Sequence, residues 1–295
     1  MNHDYQLSCE STVDMPFSYI NGRGISVLFY SYSVDGKEYP DDMERDPAAL
    51  DRFYGFIADG KVPSTSQINT FAYADYFRSL LEKGDVLHIA FGSGMTPSVN
   101  NAIEAAEQLR AEFPDRRLVV IDSYCSSSGY GLLVDCAADL WDLGKSMDEV
   151  EAWTRANCKK VHHQFYTSEL QYFRRSGRMS GPAATIATIL NICPIMRLDN
   201  TGHIIAYDKV RGKKAAVRRT LDEMEANAIG GVSYDGKVFI CNANVHEDAE
   251  ELKTQILNRF PNVTDIRIFN IGTIIASHCG PGTVAAFFFG KERPV

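Results

Sequence analysis

The side chains in this sequence that could do chemistry gather in five short loops, each beside a segment that reads as a strand or a helix. The first is Glu10-Ser11-Thr12-Val13-Asp14-Met15-Pro16, directly after the first strand. Hydroxyls and carboxylates in that place cap a following helix, with proline tolerated in its first turn. Loops at the C-terminal ends of parallel strands also line ligand crevices, so both roles are open. The second loop, Ser64-Thr65-Ser66-Gln67, precedes a helix expected near Phe71 to Leu81. Thr65 or Ser66 would serve as its cap, and three adjacent hydroxyls exceed what a cap needs. The third, Gly92-Ser93-Gly94-Met95-Thr96-Pro97-Ser98, joins an expected strand to an amphipathic helix. Glycine lets backbone approach a ligand, and free N–H groups at a helix start attract an anion. The fourth, Arg174-Arg175-Ser176-Gly177-Arg178, reads as a solvated helix end capped by Gly177, or as a grip on a phosphate or an acidic partner. The fifth is Ser277-His278-Cys279-Gly280-Pro281-Gly282-Thr283, ahead of the last strand. There His278 is either structural or functional. Cys279 beside it is a weak case for a thiol dyad, because neighbours in an extended segment face opposite ways.

Several chemistries are excluded by spacing. The third loop lacks the Gly-x-Gly-x-x-Gly of dinucleotide sites, the Gly-Lys-Ser/Thr of a phosphate-binding loop and the Gly-x-Ser-x-Gly of a nucleophile elbow. His162 and His163 are adjacent, not four apart, and no carboxylate stands at ligand spacing, so no metal site is expected. Asp122-Ser123, after a strand, is expected to cap the next helix. Seven cysteines at scattered positions without Cys-x-x-Cys argue for reduced thiols in a cytoplasmic protein. A formal net charge of -8, with no run of five or six like charges, argues against nucleic acid and anionic membranes as partners. The amino-terminal stretch reads as no signal peptide, and no apolar run reaches the roughly 18 residues of a membrane span.

The elements that must position these loops follow from periodicity. Ile25 to Tyr30, Val86 to Phe91 and Leu118 to Ile121 are buried-strand runs. Val99, Ala102, Ile103, Ala106 and Leu109 form a helical stripe between the last two. Strand–helix–strand units of this length imply a parallel sheet. Asp35-Gly36 predicts a hairpin, and helices are expected over Ser127 to Leu143 and Met147 to Lys160 with Gly144 as a cap. The second half mixes hairpins and helices. Strands Ile195 to Leu198 and His203 to Tyr207 flank the turn Asp199-Asn200-Thr201-Gly202. A helix Lys213 to Ala228, a strand Val238 to Asn242, a helix Asp248 to Arg259 and strands Val263 to Asn270 and Thr283 to Phe289 follow. This predicts an α/β protein of two domains. Residues 1–160 form a parallel-sheet α/β domain, residues 161–295 an α+β domain with antiparallel pairing, and a ligand crevice lies between them. Ile186, Ile189, Leu190 and Ile192 in the segment Pro182 to Ile192 are candidates for an apolar lining as well as for plain core.

Taken in order, the loops resemble the DegV family of bacterial fatty-acid-binding proteins. The family's Asp-Ser-Thr-x-Asp-Leu-Pro is matched by Glu10 to Pro16, its Thr-Ser-Gln by Thr65-Ser66-Gln67, and its Ser-Ser-x-Leu-Ser-Gly-Thr-Tyr by Gly92 to Val99. Asp122-Ser123, Ser176-Gly177-Arg178, Lys209-Val210-Arg211-Gly212 and Ala276 to Gly282 match its remaining elements in sequence order. The resemblance implies two α/β domains with a long-chain fatty acid between them. Its carboxylate would be held by Thr65 and Thr96, with His278 near the head group and Ser66, Ser93 and Ser98 as further hydroxyls. It implies a carrier rather than an enzyme, with no cofactor beyond the bound acid. Some members present the acid to a separate ATP-dependent fatty acid kinase and carry the acyl phosphate toward phospholipid synthesis. Arg174, Arg178 and Arg211 are then candidates for contact with a partner or a phosphate. The chain departs from the family at Thr96 and Pro97, where serine and glycine are usual, and Pro97 removes a backbone N–H.

A buried carboxylate needs several donors, which hydroxyls and helix-start amides supply without a paired cation. A tail of about sixteen carbons offers on the order of 12 kcal/mol at about 0.8 kcal/mol per buried methylene, before the cost of association. Two other classes of function stay open on sequence alone. One is an enzyme, either a hydrolase using Ser93 or Cys279 with His278, or a phosphotransferase. The other is an interaction module built on the arginines.

Overall fold

The computed structural model describes residues 3–180 and 191–295. The first half builds β1 (Tyr5–Glu10), α1 (Phe17–Gly22), β2 (Ser26–Leu28), the hairpin β3 (Ser31–Val34) and β4 (Lys37–Pro40), and α2 (Ala49–Ala58). It continues through β5 (Ser64–Thr65), α3 (Thr70–Leu81), β6 (Asp85–Ala90), α4 (Ser98–Leu109), β7 (Leu118–Asp122), α5 (Ser127–Asp142) and α6 (Met147–Asn157). Strands β2-β1-β6-β7 form an all-parallel sheet, as the strand–helix alternation requires. Leu7, Cys9, Val86, Leu87 and Ile89 are fully buried in it, the continuous apolar content of a sheet covered on both faces. The Asp35-Gly36 hairpin is present, and β5 adds to β3 by pairing Thr65 with Tyr32.

The second half contains β8 (Val161–Thr167), α7 (Leu170–Ser176), β9 (Met179–Ser180), β10 (Ile192–Leu198), β11 (Ile204–Arg211) and α8 (Lys213–Asn227). It ends with β12 (Val238–Asn242), α9 (His246–Arg259), β13 (Ile266–Asn270), α10 (Thr273–Cys279) and β14 (Thr283–Phe289). Their sheet, ordered β13-β12-β14-β8-β10-β11-β9, is mixed rather than purely antiparallel, since β12–β13 and β9–β11 run parallel. Its central pair, β8 with β14, runs in register from Val161 opposite Phe289 to Thr167 opposite Thr283. β8 escapes a reading by hydrophobicity because His162, His163 and Gln164 are polar, yet all seven of its residues are buried. One apolar cluster joins both sheets through the almost wholly buried α5, and a second packs α8 and α9 on the outer face of the larger sheet.

Other expectations change in detail. The buried stripe of α4 is Val99, Ala102, Ala105 and Leu109, while Ile103 is 45% exposed. The cap of α3 is Asn69, whose Oδ1 accepts from Ala72 N at 2.9 Å, not Thr65 or Ser66. Asp122 caps nothing: its Oδ1 accepts from Ser93 N at 3.1 Å and Tyr124 N at 2.9 Å and so fixes the glycine-rich turn. Ser123 Oγ likewise serves Cys125 N within its own loop, at 3.1 Å. Glu10 is buried and accepts from Phe91 N at 2.6 Å and from the Tyr73 hydroxyl, so it ties β1 to β6 and α3. Ser277, His278 and Cys279 lie in the helix α10, not in an extended segment. The segment Pro182 to Leu190 lies outside the described residues, and Ile192 opens β10.

Two contacts set how the halves meet. The fully buried Asp135 of α5 takes Arg23 Nη1, Lys237 Nζ and the Tyr19 hydroxyl, each at 2.5 Å, joining α1, α5 and the approach to β12. A buried carboxylate is tolerable when it is so fully paired. The second contact is glycine on glycine: a Cβ on Gly94 would overlap the Gly202 carbonyl at the β10–β11 turn. The Gly94→Ala variant is therefore expected to lose about 1–3 kcal/mol of stability through forced backbone displacement. Denaturant unfolding checks this, and a midpoint equal to that of the parent protein would contradict the contact.

Candidate functional site

A crevice of about 450 Å³ opens between the two sheets and receives residues from both halves of the chain. Thr65, Ser66 and Gln67 enter from β5 and the loop after it, Met95, Thr96 and Pro97 from the turn before α4, Arg178 from the end of α7, and His278 from α10. Each position has a local cause. Thr65 is held by its ladder pairing with Tyr32. Arg178 follows Gly177, whose left-handed φ of 69° ends α7 and turns the chain. The first turn of α10 is anchored by Thr273, whose hydroxyl donates to Asp41 Oδ1 at 2.9 Å.

Arg178, His278 and Thr65 form a hydrogen-bonded row. Arg178 Nη1 donates to His278 Nδ1 at 3.3 Å, and His278 Nε2 lies 2.8 Å from Thr65 Oγ1. Guanidinium cannot accept, so Nδ1 is bare and the network assigns the imidazole hydrogen to Nε2. The imidazole then donates to Thr65, and the threonine O–H is left to point at a ligand. Burial, with Arg178 and Arg175 adding repulsion, lowers the His278 pKa to about 4, so the ring is neutral near pH 7. Arg178 is fixed further by donating to Ser176 O at 2.7 Å and Met95 O at 3.4 Å. The head of the crevice thus has a cation, contrary to the expectation that hydroxyls and amides would act alone.

Most amides of the glycine-rich turn are already used. Met95 N and Thr96 N donate to Gly92 O at 3.0 and 3.4 Å, Ser93 N to Asp122, and Ser98 N to Thr96 Oγ1 at 3.3 Å. Pro97 has no N–H. The loop that reads as an anion nest is thus also a packing turn. What it offers a ligand is the hydroxyl of Thr96, paired with Ser98 Oγ at 3.0 Å. Thr65, Ser66, Thr96, Arg178 and His278 line the crevice together, whereas Ser93 and Ser98 do not. Arg174 and Arg211 are exposed and lie outside the lining. Sequence reasoning missed Tyr30 and Ser126, which also line the crevice. Their signal was slight, since Tyr30 reads as an apolar strand residue and Ser126 as one of three consecutive serines.

The crevice continues inward to an apolar chamber of about 60 Å³ through shared walls at Ser126, Phe173, Ile204, Ile275 and Cys279. Phe165, Leu198, Ile271 and Phe287 give the chamber most of its further apolar wall, and Ser127, His163 and Thr283 also border it. A polar mouth with donors and an apolar interior suits an amphiphile with an acceptor at one end. It does not suit hydrolysis. Behind the imidazole stands a guanidinium where a catalytic triad requires a carboxylate, which weakens the base instead of strengthening it. Cys279 is buried, its thiol donates to Gly280 O at 3.4 Å, and burial pushes its pKa up to about 12.

Comparison with known proteins places these features. The family model described as "Uncharacterised protein, DegV family" matches residues 6–291. The chain belongs to the DegV family. A DegV domain-containing protein of Clostridium perfringens is 34% identical over 287 residues, covering 96% of this chain and 97% of that protein. A Thermus thermophilus DegV protein, described by its fatty acid binding, superposes with a TM-score of 0.85 at 25% identity, over 97% of this chain and 99% of that one. A Thermotoga maritima protein described as revealing a fatty-acid-binding function gives a TM-score of 0.83 at 25% identity, over 98% of this chain and 100% of that one. The mixed α/β architecture, with a parallel sheet first and a mixed sheet later, is that of the DegV structures. Among the described residues no helix is long and apolar enough to cross a membrane.

The neutral histidine makes the fold acid-sensitive. Its folded pKa of about 4 lies below the ordinary histidine value of 6.5, so the unfolded chain takes up the proton first. Its contribution to stability is complete above about pH 6.5 and is lost as pH falls toward 4. Asp41, raised to about 6 by burial, acts with the opposite sign and loses stability as pH rises through that value. Comparison with His278→Gln isolates the histidine: the drop in melting temperature of the lipid-free protein between pH 7 and pH 4.5 is expected to be smaller in the variant. Equal drops would show that His278 is not held neutral.

Proposed function

We propose that this protein binds one long-chain fatty acid, with the carboxylate at Thr65, Thr96, Ser66 and Arg178 in the crevice and the tail in the apolar interior. The observation that carries the reading is a pair of adjoining cavities with shared walls, the outer one lined by donors and the inner one mostly by apolar side chains. His278 acts here as a relay that orients Thr65 and not as a base. We divide the chain near residue 160 into an N-terminal α/β domain, 1–160, and a C-terminal domain, 161–295. The first sheet ends at Asp122 and the second begins at Val161, which supports that division.

The finer role proposed is that of a cytoplasmic carrier presenting the acid to a fatty acid kinase, as family resemblance implies. Arg174 and Arg211 belong to the partner-facing side of this reading, and Arg178 to the pocket. Fatty acid binding described for the Thermus and Thermotoga proteins supports the ligand class. Mass spectrometry of a denatured extract of protein purified from a bacterial host is expected to find one long acyl chain per chain. Absence of stoichiometric lipid together with no tight binding of added palmitate or oleate would sink the reading. The Thr65→Val variant is expected to weaken palmitate binding by about tenfold or more, since a hydroxyl donating to a charged acceptor is among the stronger hydrogen bonds.

A further inference from the structure

Arg293 lies in the segment after β14 and is 2% exposed, and among the described residues no carboxylate pairs with it. Backbone carbonyls take its guanidinium instead. Nε donates to Asp199 O at 2.9 Å, Nη1 to Val161 O at 2.6 Å and Cys158 O at 3.2 Å, and Nη2 to Tyr124 O at 2.7 Å. These acceptors belong to the loop after β7, to β8 and the turn before it, and to the β10–β11 turn. The backbone adds to the same clasp: Arg293 N donates to Lys159 O and Asn200 N to Pro294 O, both at 2.9 Å. A buried charge is a costly way merely to hold chain together, since apolar side chains of similar volume do that as well or better. What the guanidinium adds is a rigid planar fork, which fixes its acceptors relative to one another.

Those acceptors lead to the crevice. Tyr124, two residues before Ser126, is held at a left-handed φ of 51°. Gly202, two residues before Ile204, presses on it so closely that a Cβ there would stand 3.1 Å from Tyr124 O. Val161 O also takes the Nδ1 hydrogen of His163 at 3.0 Å, which leaves Nε2 to accept from Ser126 N at 3.1 Å. Burial, with the Arg293 charge adding to it, holds His163 well below its ordinary pKa, so the ring stays neutral and able to accept. Ser126 and Ile204 line both the crevice and the chamber behind it, whereas Arg293 and its acceptors line neither.

We propose that Arg293 is a positioning residue for the bound ligand: by holding Tyr124 and Asp199 at once it fixes the gap between the Ser126 wall and the Ile204 wall, and so governs how fast an acyl chain leaves. This rests on the fatty-acid reading above. A wider gap loosens contact along the tail, and such losses appear mainly in the rate of dissociation.

The test measures palmitate release from the full chain, loaded beforehand, at a temperature where every protein compared is folded. Arg293→Lys keeps the charge without the fork, and Arg293→Met removes both. Leu252→Ala, in the fully buried outer face of the larger sheet and outside both cavities, is the comparator for lost stability alone. Both Arg293 variants are expected to release palmitate about tenfold faster or more, while Leu252→Ala melts lower and releases at the parent's rate. Release from the Arg293 variants at the parent's rate overturns the assignment and leaves the fatty-acid reading intact. Release that quickens in Leu252→Ala as much as in the Arg293 variants shows a structural arginine and overturns it too, as does a chain that folds with neither substitution. Failure of the parent protein itself to bind palmitate overturns both readings.

Discussion

The site depends on one imidazole that is prevented from taking a proton. His278 lies between the Arg178 guanidinium and the Thr65 hydroxyl, and these three residues come from α10, from the turn after α7 and from β5. Because guanidinium only donates, every hydrogen in the row points the same way, from Arg178 through the ring to the threonine and then into the crevice. Were the ring protonated, two cations would face each other across 3.3 Å in a partly desolvated place. Burial and the guanidinium thus keep the histidine neutral, and neutrality gives Thr65 a defined polarity. The rest of the architecture can be seen as what brings these three residues within reach across the gap between two sheets.

That architecture has its own constraint, close approach. α5 lies almost wholly buried between the parallel sheet and the mixed sheet, and the turn at Gly94 presses on the turn at Gly202. Side chains of ordinary size at such points would hold the halves apart and widen the crevice. The charged contacts around Asp135 reinforce the same arrangement from the middle of α5, where Arg23 and Lys237 converge on one carboxylate. Interiors packed at crystal-like density transmit displacement. With the halves held by two such contacts, both outside the crevice lining, the walls have little freedom to adapt, and selection must come from the groups already facing inward.

How much of this was legible in the sequence depended on whether a residue's partner was near in the chain. The parallel sheet was readable because Val86 to Ala90 and Leu118 to Ile121 are apolar runs separated by a helical stripe, a local pattern. β8 was not, because His162, His163 and Gln164 are made acceptable in the core by distant groups: Lys291 O, Ser126 N and the Tyr207 hydroxyl. The same holds in the site. Thr65 and His278 were legible as candidates from composition and from family resemblance, but the bond between them spans 213 residues. Arg178 was readable as a cation near a helix end, while its turn into the crevice follows from Gly177 and from Ser176 and Met95 carbonyls that no local pattern announces. The glycine-rich turn is ambiguous in another sense. Glycine before a helix signals either an anion nest or a tight contact between backbones, and the spacing is identical for both.

Under the fatty-acid reading, the inward-facing groups divide the energetics unequally. Tail burial scales with chain length, at about 0.8 kcal/mol per methylene, and is indifferent to direction. Direction must come from the head, and there Thr65, by the polarity of its row, and Arg178 both act as donors. An acceptor-only end group such as a carboxylate satisfies them together. An amine brings its own positive charge toward Arg178, and an alcohol offers a neutral acceptor and one hydrogen too many. Discrimination by an unmatched donor is sharper than discrimination by shape, because it leaves a buried polar group unpaired in the wrong complex. Fixing one neutral histidine between an arginine and a threonine therefore does more than bind a charge. It makes the crevice a one-way socket, in which an acyl chain inserted in reverse would lose the head-group bonds and gain nothing from the tail.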